Sequence, residues 1–499
     1  MINRDKFLWG GSISAAQCEG GWNEGGKSPV QVDYGDPGST KDRRFIHYLN
    51  ADGTRGKMRQ FDHLPKGAKY VLFDDVRYTN HVAIDFYHRY KEDIALMAEM
   101  GFNEFRFSIA WPRIIPSGDG EVNEVAVKHY HDVIDECHKY GIEPVVTLYH
   151  FDLPQCLQDR YGGWADRKCI DAFLKYCKVC FAEYGKKVKY FLTINEQNMM
   201  FLYQGHRDYK DEKTIWQANH HMLLAQSLAM QECHKMCDAK IGPAPNITAI
   251  YPATSSPEDN LAAMDFDQLR NRLFLDPACF GTYPEALMRW FTDRGVAPAI
   301  EEGDMEILKN GHPDFIAFNY YGAGCVKYVS KEDGEKAIAE AKEKKDFMTG
   351  LMTYPGLCMA VNNPLQESTS YGMGIDPVGL RITLRQLWER YHLPLIITEN
   401  GCGVPDTLED GKVHDDYRID YLRRHIEACR EAINDGVDLF GYSPWSAFDL
   451  ISTHQGITKR YGFIYVDRDE FDLKDMKRIK KDSFYWYQKV CKSNGADLD

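Results

Sequence analysis

The chain has 499 residues, 44% hydrophobic and 27% charged, which is a globular composition long enough to bury a core without disulfide help. Its formal net charge of -14 repels phosphate backbones and anionic membrane surfaces, so neither nucleic acid nor a membrane is expected as a partner. The fourteen cysteines are scattered, the first ten residues lack the apolar run of a signal peptide, and no segment reaches about 18 continuous apolar residues; reduced thiols and a cytoplasmic location are the expectation.

From the first residues onward, short apolar strands alternate with amphipathic helices. Strands are predicted over Lys6–Ser12, Glu104–Ile109, Pro144–Leu148, Tyr190–Ile194, Asn246–Ile250, Phe315–Asn319, Leu395–Thr398 and Leu439–Ser443. Helices are predicted over Phe86–Met100, Val125–Tyr140, Ile170–Tyr184, Trp216–Lys235, Pro377–Tyr391 and Asp416–Asp435. This alternation implies parallel strands with crossover helices, in an α/β fold. Eight such strands fit a closed barrel, and the count fits an open doubly wound sheet as well. The segments Gln31–Ala83 and Ser330–Gly372 read as loop insertions that wall a site. No linker or low-complexity tract divides residues 1–499, which read as one domain. Cys177 and Cys180 form a C-x-x-C pair, but inside the helical apolar spacing of Ala172–Tyr184 and without a second pair to complete a zinc site. Helix packing is the reading for both.

Polar and aromatic residues gather just after the strands: Gln17 and Glu19, Arg106, His150, Asn195 and Glu196, Asn319 to Tyr321, Glu399 and Asn400, Trp445 and Asp449. In a barrel the carboxyl ends of the strands face the active site. Aromatic faces there stack on sugar C–H surfaces, while amides and charges bond the hydroxyls. Glu196 follows the strand Tyr190–Ile194 and Glu399 follows Leu395–Thr398. A buried strand end is a costly place for a charge. Two such glutamates on different strands suggest a general acid and a nucleophile on either side of a glycosidic bond. Burial and mutual repulsion would raise the acid's pKa, and a nearby arginine would keep the nucleophile ionised.

With these motifs in view, the sequence resembles glycoside hydrolase family one, the β-glucosidase-like family, over nearly its whole length. Thr193-Ile-Asn-Glu196 resembles the family's acid/base motif, with Gln197 where the family has proline. Ile397-Thr-Glu-Asn-Gly401 is similar to the nucleophile motif. Phe7-Leu-Trp-Gly10, Ala16-Gln-Cys-Glu-Gly20, Arg106 to Arg113, Leu148 to Pro154 and Phe318 to Tyr321 match further family segments. The resemblance implies a single-domain (β/α)8 TIM barrel with Glu196 as general acid/base and Glu399 as nucleophile. It implies that Gln17 and His150 hold glycone hydroxyls, Asn195 bonds the 2-hydroxyl, Arg106 and Tyr321 orient Glu399, and Trp445 floors the pocket. Asn319 is counted among the substrate-binding residues. Trp164, in Gly-Gly-Trp, reads as a wall. No metal and no organic cofactor is implied.

One departure bears on the substrate. Family members acting on plain glucosides usually carry Asn-Phe-Glu-Trp after the eighth strand, whose glutamate bonds the 4- and 6-hydroxyls. In this register Ser452 replaces that glutamate and Thr453 the tryptophan, with Lys459 and Tyr461 following. A carboxylate would repel a 6-phosphate, whereas a serine hydroxyl, a lysine and a tyrosine can donate to it. Ser452, Lys459 and Tyr461 thus resemble the phosphate-binding loop of the family's 6-phospho-β-glycosidases. Thr453 suits an equatorial 4-hydroxyl and favours a gluco substrate. The expected activity is retaining hydrolysis of 6-phospho-β-glucosides, with a phosphorylated disaccharide or β-glucoside as the small-molecule partner. The alternatives are a 6-phospho-β-galactosidase, a plain β-glucosidase, a transglycosidase and a non-catalytic sugar-binding protein. The aglycone and the oligomeric state, a homo-oligomer included, stay open.

Overall fold

A computed structural model describes residues 7–38, 43–60, 62, 64–202, 212–344 and 346–499. Eight parallel strands form a barrel: β1 (Leu8–Trp9), β2 (Glu104–Ser108), β3 (Glu143–Tyr149), β4 (Tyr190–Asn195), β5 (Lys240–Ala244), β6 (Ile316–Asn319), β7 (Leu395–Glu399) and β8 (Leu439–Tyr442). They make two parallel arcs, β2-β3-β4-β5 and β6-β7-β8-β1. Parallel bridges from Ser12 to Arg106 and from Asn246 to Asn319 close the arcs into a ring. Inside, Val145, Leu192, Ala244, Phe315, Ala317, Ile396 and Phe440 form one apolar cluster, so the centre is packed and is not a pore. Of the predicted first strand, Lys6 lies outside the described residues.

The helices follow from their apolar spacing and caps. They are α1 (Phe86–Met100), α2 (Glu124–Lys139), α3 (Lys168–Tyr184), α4 (Glu212–Met236), α5 (Pro377–Tyr391), α6 (Asp416–Asn434) and α7 (Asp482–Lys492). In α2 the Asn123 side chain caps the first turn by accepting from the Val125 N–H, and Ala126, Val127, Tyr130, Val133, Ile134 and Cys137 are buried along one stripe. In α5 Asp376 caps Gly379, with Pro377 in the first turn. Cys177 and Cys180 are both buried on α3, and all fourteen cysteines are free thiols. Among the described residues no helix is long and apolar enough to cross a membrane.

Two expectations need correction. The fifth strand is Lys240–Ala244, not Asn246–Ile250. Its sequence, Lys-Ile-Gly-Pro-Ala, reads as a turn, yet both breakers have local reasons. A Cβ on Gly242 would stand 2.2 Å from the Phe315 carbonyl oxygen. Pro243 falls where the register between β4 and β5 shifts, from Leu192 opposite Gly242 to Asn195 opposite Ala244. Ile250 instead begins a strand, Ile250–Pro252, that pairs outside the barrel with Gly324–Lys327. The second correction concerns the insertions, which hold regular structure. The first contains a three-stranded sheet of Ile46–Leu49, Arg55–Met58 and Lys69–Tyr70, and the second contains a helix over Lys331–Glu343.

Candidate active site

A cavity of about 930 Å³ opens at the carboxyl ends of the barrel strands. Gln17, His150, Asn195, Glu196, Tyr321, Glu399, Trp445, Ser452, Lys459 and Tyr461 all line it. Arg106 and Asn319, the other two expected site residues, are fully buried beneath it and hydrogen-bond its lining.

Glu399 ends β7 and meets Arg106 from β2. Arg106 Nη1 donates to Glu399 Oε1 at 2.6 Å, and the Tyr321 hydroxyl donates to Oε2 at 2.7 Å. Burial pushes the Glu399 carboxyl up to about 7; Arg106 opposes the rise, the charge of Glu196 adds to it, and Tyr321 again opposes it. The arginine therefore limits the effect of burial and does not cancel it.

Glu196 stands just past β4 with φ at 45°, in the left-handed region, a conformation that costs a non-glycine residue free energy and gathers at functional sites. Its Oε1 accepts from Asn246 Nδ2 at 2.7 Å and Asn319 Nδ2 at 3.0 Å. The Thr398 hydroxyl donates to Asn319 Oδ1 at 2.9 Å and so sets that amide's orientation. Asn195 Oδ1 accepts from Arg106 Nη2 at 2.6 Å and from Asn319 Nδ2 at 3.0 Å. Its amide N–H therefore faces His150 Nε2, 3.2 Å away. Burial, aided by the Arg106 charge, holds the His150 pKa well below the usual histidine range. The ring is neutral and accepts at Nε2, so Nδ1 carries the proton. That Nδ1 has no hydrogen-bond partner among the described residues. The two carboxylates are thus joined by one chain, Glu399–Arg106–Asn195–Asn319–Glu196.

The opposite wall comes from the loop after β8. The Ser452 N–H donates to the Gly456 carbonyl at 2.8 Å and closes a tight turn. Lys459 Nζ lies 5.4 Å from the centre of the Tyr461 ring. Both side chains pass against Gly403, where a Cβ would stand 2.5 Å from the Tyr461 ring and 2.7 Å from Lys459 Cε. Among the described residues no carboxylate pairs with Lys459. Its neighbour Arg460 differs: it is buried, donates to Asp449 Oδ2 at 3.1 Å and to the Val466 carbonyl at 2.8 Å, and lies 4.2 Å from the Tyr465 ring centre. Arg460 anchors the loop that Lys459 extends from.

Some strand-end residues turn away from the cavity. Glu19 pairs with Arg113 at 2.6 Å and accepts from Tyr130 at 2.7 Å. Asp449 is held by Arg460 and by Lys481, at 2.7 Å. Asn400 bonds Tyr320, Tyr421 and Tyr442. Trp164 packs against Trp111, Tyr149 and Phe173 as core. Gln197, at the family's proline position, is buried and donates to Asn219. Other residues were not anticipated. Thr147 accepts from Arg106 Nε at 2.8 Å. Arg44, buried on the first insertion, lines the cavity and donates to the Asp36 and Ser452 carbonyls. Asn246 and Arg270 also line it. Asn246 comes just after β5, near a strand end like Glu196 and Glu399, but the sequence reads it as the first residue of a strand; for Arg44 and Arg270 there was no signal.

A parallel eight-stranded barrel with two glutamates at its carboxyl end, over a cavity lined by aromatics and amides, has the equipment of a glycoside hydrolase. The chain belongs to glycosyl hydrolase family 1, whose family model matches residues 2–496. It is 43% identical to the aryl-phospho-β-D-glucosidase BglC of Bacillus subtilis, covering 99% of this chain and 98% of that protein. It is 40% identical to the 6-phospho-β-glucosidase AscB of Escherichia coli, covering 99% of each. A 6-phospho-β-galactosidase of Clostridium acetobutylicum is 35% identical over 97% of this chain and 96% of its own. Among solved structures, the family 1 β-glucosidase of Thermotoga maritima superposes with a TM-score of 0.80 at 32% identity, covering 99% of both chains.

Proposed function

We propose that the protein hydrolyses 6-phospho-β-glucosides with retention at the anomeric carbon. The observation that carries this reading is that Lys459, without a carboxylate partner among the described residues, lines the same cavity as Glu196 and Glu399. In a chain of net charge -14 this is a local cation where an anionic substrate needs one. Ser452 and Tyr461 add neutral donors, and no carboxylate stands at position 452 to repel a phosphate. The 6-phospho-β-glucosidases and aryl-phospho-β-D-glucosidase among its relatives support the same reading, and Thr453, also on the cavity wall, favours gluco over galacto.

In the proposed cycle Glu399 attacks the anomeric carbon while the C–O bond to the aglycone breaks, and Glu196 gives its proton to the departing oxygen. The resulting glycosyl ester of Glu399 is opened by water, whose proton returns to Glu196, releasing 6-phosphoglucose. Gln17, His150 and Asn195 line the cavity and supply polar groups to glycone hydroxyls, and Trp445 supplies an apolar floor. A phosphorylated sugar does not cross a bilayer unaided, so enzyme and substrate would meet in the cytoplasm, where the sugar is phosphorylated. A 2-deoxy-2-fluoro-6-phosphoglucosyl donor, whose ester turns over slowly, tests the cycle: the label should be found on the peptide holding Glu399. A label on another residue, or none beside normal turnover, would refute the assignment.

A further inference from the structure

Asn246 is gripped on every polar atom. Its N–H donates to Asn198 Oδ1 at 3.1 Å, and its carbonyl accepts from Asn198 Nδ2 at 2.6 Å and Arg270 Nη1 at 2.5 Å. Its side-chain Oδ1 accepts from Arg270 Nη2 at 2.6 Å, which leaves Nδ2 to donate to Glu196 Oε1 at 2.7 Å. A guanidinium has donors only. Rotating the amide would set N–H against guanidinium on one side and carbonyl oxygen against Glu196 on the other. Arg270 thus forbids the flip. It sits on the π-helical turn Gln268–Arg272, between the helices Pro257–Asp267 and Leu273–Phe280. Such a turn inserts a residue into a helix and re-aims side chains, and it is frequent at functional sites. Here Arg270 is 7% exposed and faces the cavity.

We infer that Arg270 is a positioning residue for the acid/base: it acts through Asn246 to decide which oxygen of Glu196 carries the proton. Asn246 and Asn319 both donate to Oε1, so that oxygen is held as an acceptor and the acidic hydrogen stands on Oε2. Without the clamp only Asn319 holds Oε1, so the carboxyl rotates more freely and its proton is aimed less firmly at the leaving oxygen. The step that suffers is proton donation to the aglycone, not attack by Glu399 and not phosphate binding. The inference rests on the proposed role of Glu196 as acid.

The test compares kcat/KM on two 6-phospho-β-glucosides, one with a phenyl and one with a 2,4-dinitrophenyl aglycone. Dinitrophenolate departs without a proton; phenol needs one. Arg270→Met should lose about tenfold or more on the phenyl substrate and less than about threefold on the dinitrophenyl one. Arg270→Lys, which keeps a donor for Asn246, should recover part of the loss. Added to Asn246→Ala, Arg270→Met should cause no further selective loss. Should Arg270→Met not fold, Arg270→Lys and Asn246→Ala, each read for selectivity, carry the comparison. Equal losses on both substrates, or a selective loss that persists undiminished in the Asn246→Ala background, would overturn the inference. Glu196→Ala separates the two levels: if it shows no leaving-group selectivity, the acid role itself has failed. If it is selective while the Arg270 variants are not, only the Arg270 inference has failed.

Discussion

Arg106 Nη1 stands 2.6 Å from Glu399 Oε1, tying the second barrel strand to the seventh beneath the cavity floor. It works against burial, which together with the charge of Glu196 leaves the Glu399 carboxyl at about 7. The proposed nucleophile must be ionised, so kcat/KM on a dinitrophenyl 6-phosphoglucoside should fall as the pH drops through about 7. Glu196→Gln removes a like charge and should move that acid limb to lower pH. Tyr321→Phe removes a donor to the carboxylate and should move it to higher pH. A limb that stays in place in both variants would show that it reports another group.

Lys459 and Arg460 are adjacent in sequence and opposite in environment, so their substitutions should separate binding from stability. Lys459→Met should raise KM for the phosphorylated substrate by about 10- to 100-fold, the range of a charge-assisted hydrogen bond. Its melting temperature and its turnover of a plain glucoside should hold. Arg460→Met removes one of the two buried cations that hold Asp449, Lys481 remaining, a loss of about 1.5–3 kcal/mol for a buried hydrogen bond to a charged group. Thermal melts of the two variants check this; a large drop for Lys459→Met would mean that it too is structural.

Ser452→Glu places a carboxylate where the phosphate is expected. It should cut kcat/KM on the phosphorylated glucoside by about 100-fold or more through like-charge repulsion. Plain nitrophenyl glucoside should gain by comparison, since the new carboxylate can bond the 4- and 6-hydroxyls. Equal effects on both substrates would place the phosphate elsewhere.

Glu104 lies at the foot of β2 and accepts from the Ser443 hydroxyl at 2.6 Å. Burial pushes its carboxyl up to about 8, from an ordinary 4.5. Between those values the folded state keeps a proton that the unfolded chain releases, so stability falls as pH rises; Glu399 acts in the same direction. Denaturation midpoints across pH 5 to 8 (the window set by these shifts) should decline, and Glu104→Gln should flatten the slope. An unchanged slope would remove Glu104 from this account.

What was legible in the sequence follows from periodicity and position. Helices α1 and α5 run as their apolar spacing predicts, Phe86–Met100 and Pro377–Tyr391. Ten of the twelve expected site residues line one cavity, and Arg106 and Asn319 support it from below. The failure at β5 was local and had a consequence. Gly242 and Pro243 look like a turn because the two facts that permit them, the nearby Phe315 carbonyl and the register shift against β4, belong to neighbouring strands. Placing the strand six residues late put Asn246 at its start, and so hid a residue that touches Glu196. Arg44 and Arg270 could not be seen at all, since an insertion sheet and a π turn bring them in. Glu19 and Asp449 misled for the converse reason: a strand-end acid faces either the cavity or a buried cation, and only the fold decides which.

The central claim is that the glutamate pair and Lys459 serve one substrate. Its most direct test is the purified protein assayed on nitrophenyl β-glucoside with and without a 6-phosphate, beside the two galactoside counterparts. Turnover confined to the phosphorylated glucoside is the predicted result. Equal or faster turnover of the plain glucoside would leave Glu196 and Glu399 standing and contradict the phosphate site of Ser452, Lys459 and Tyr461.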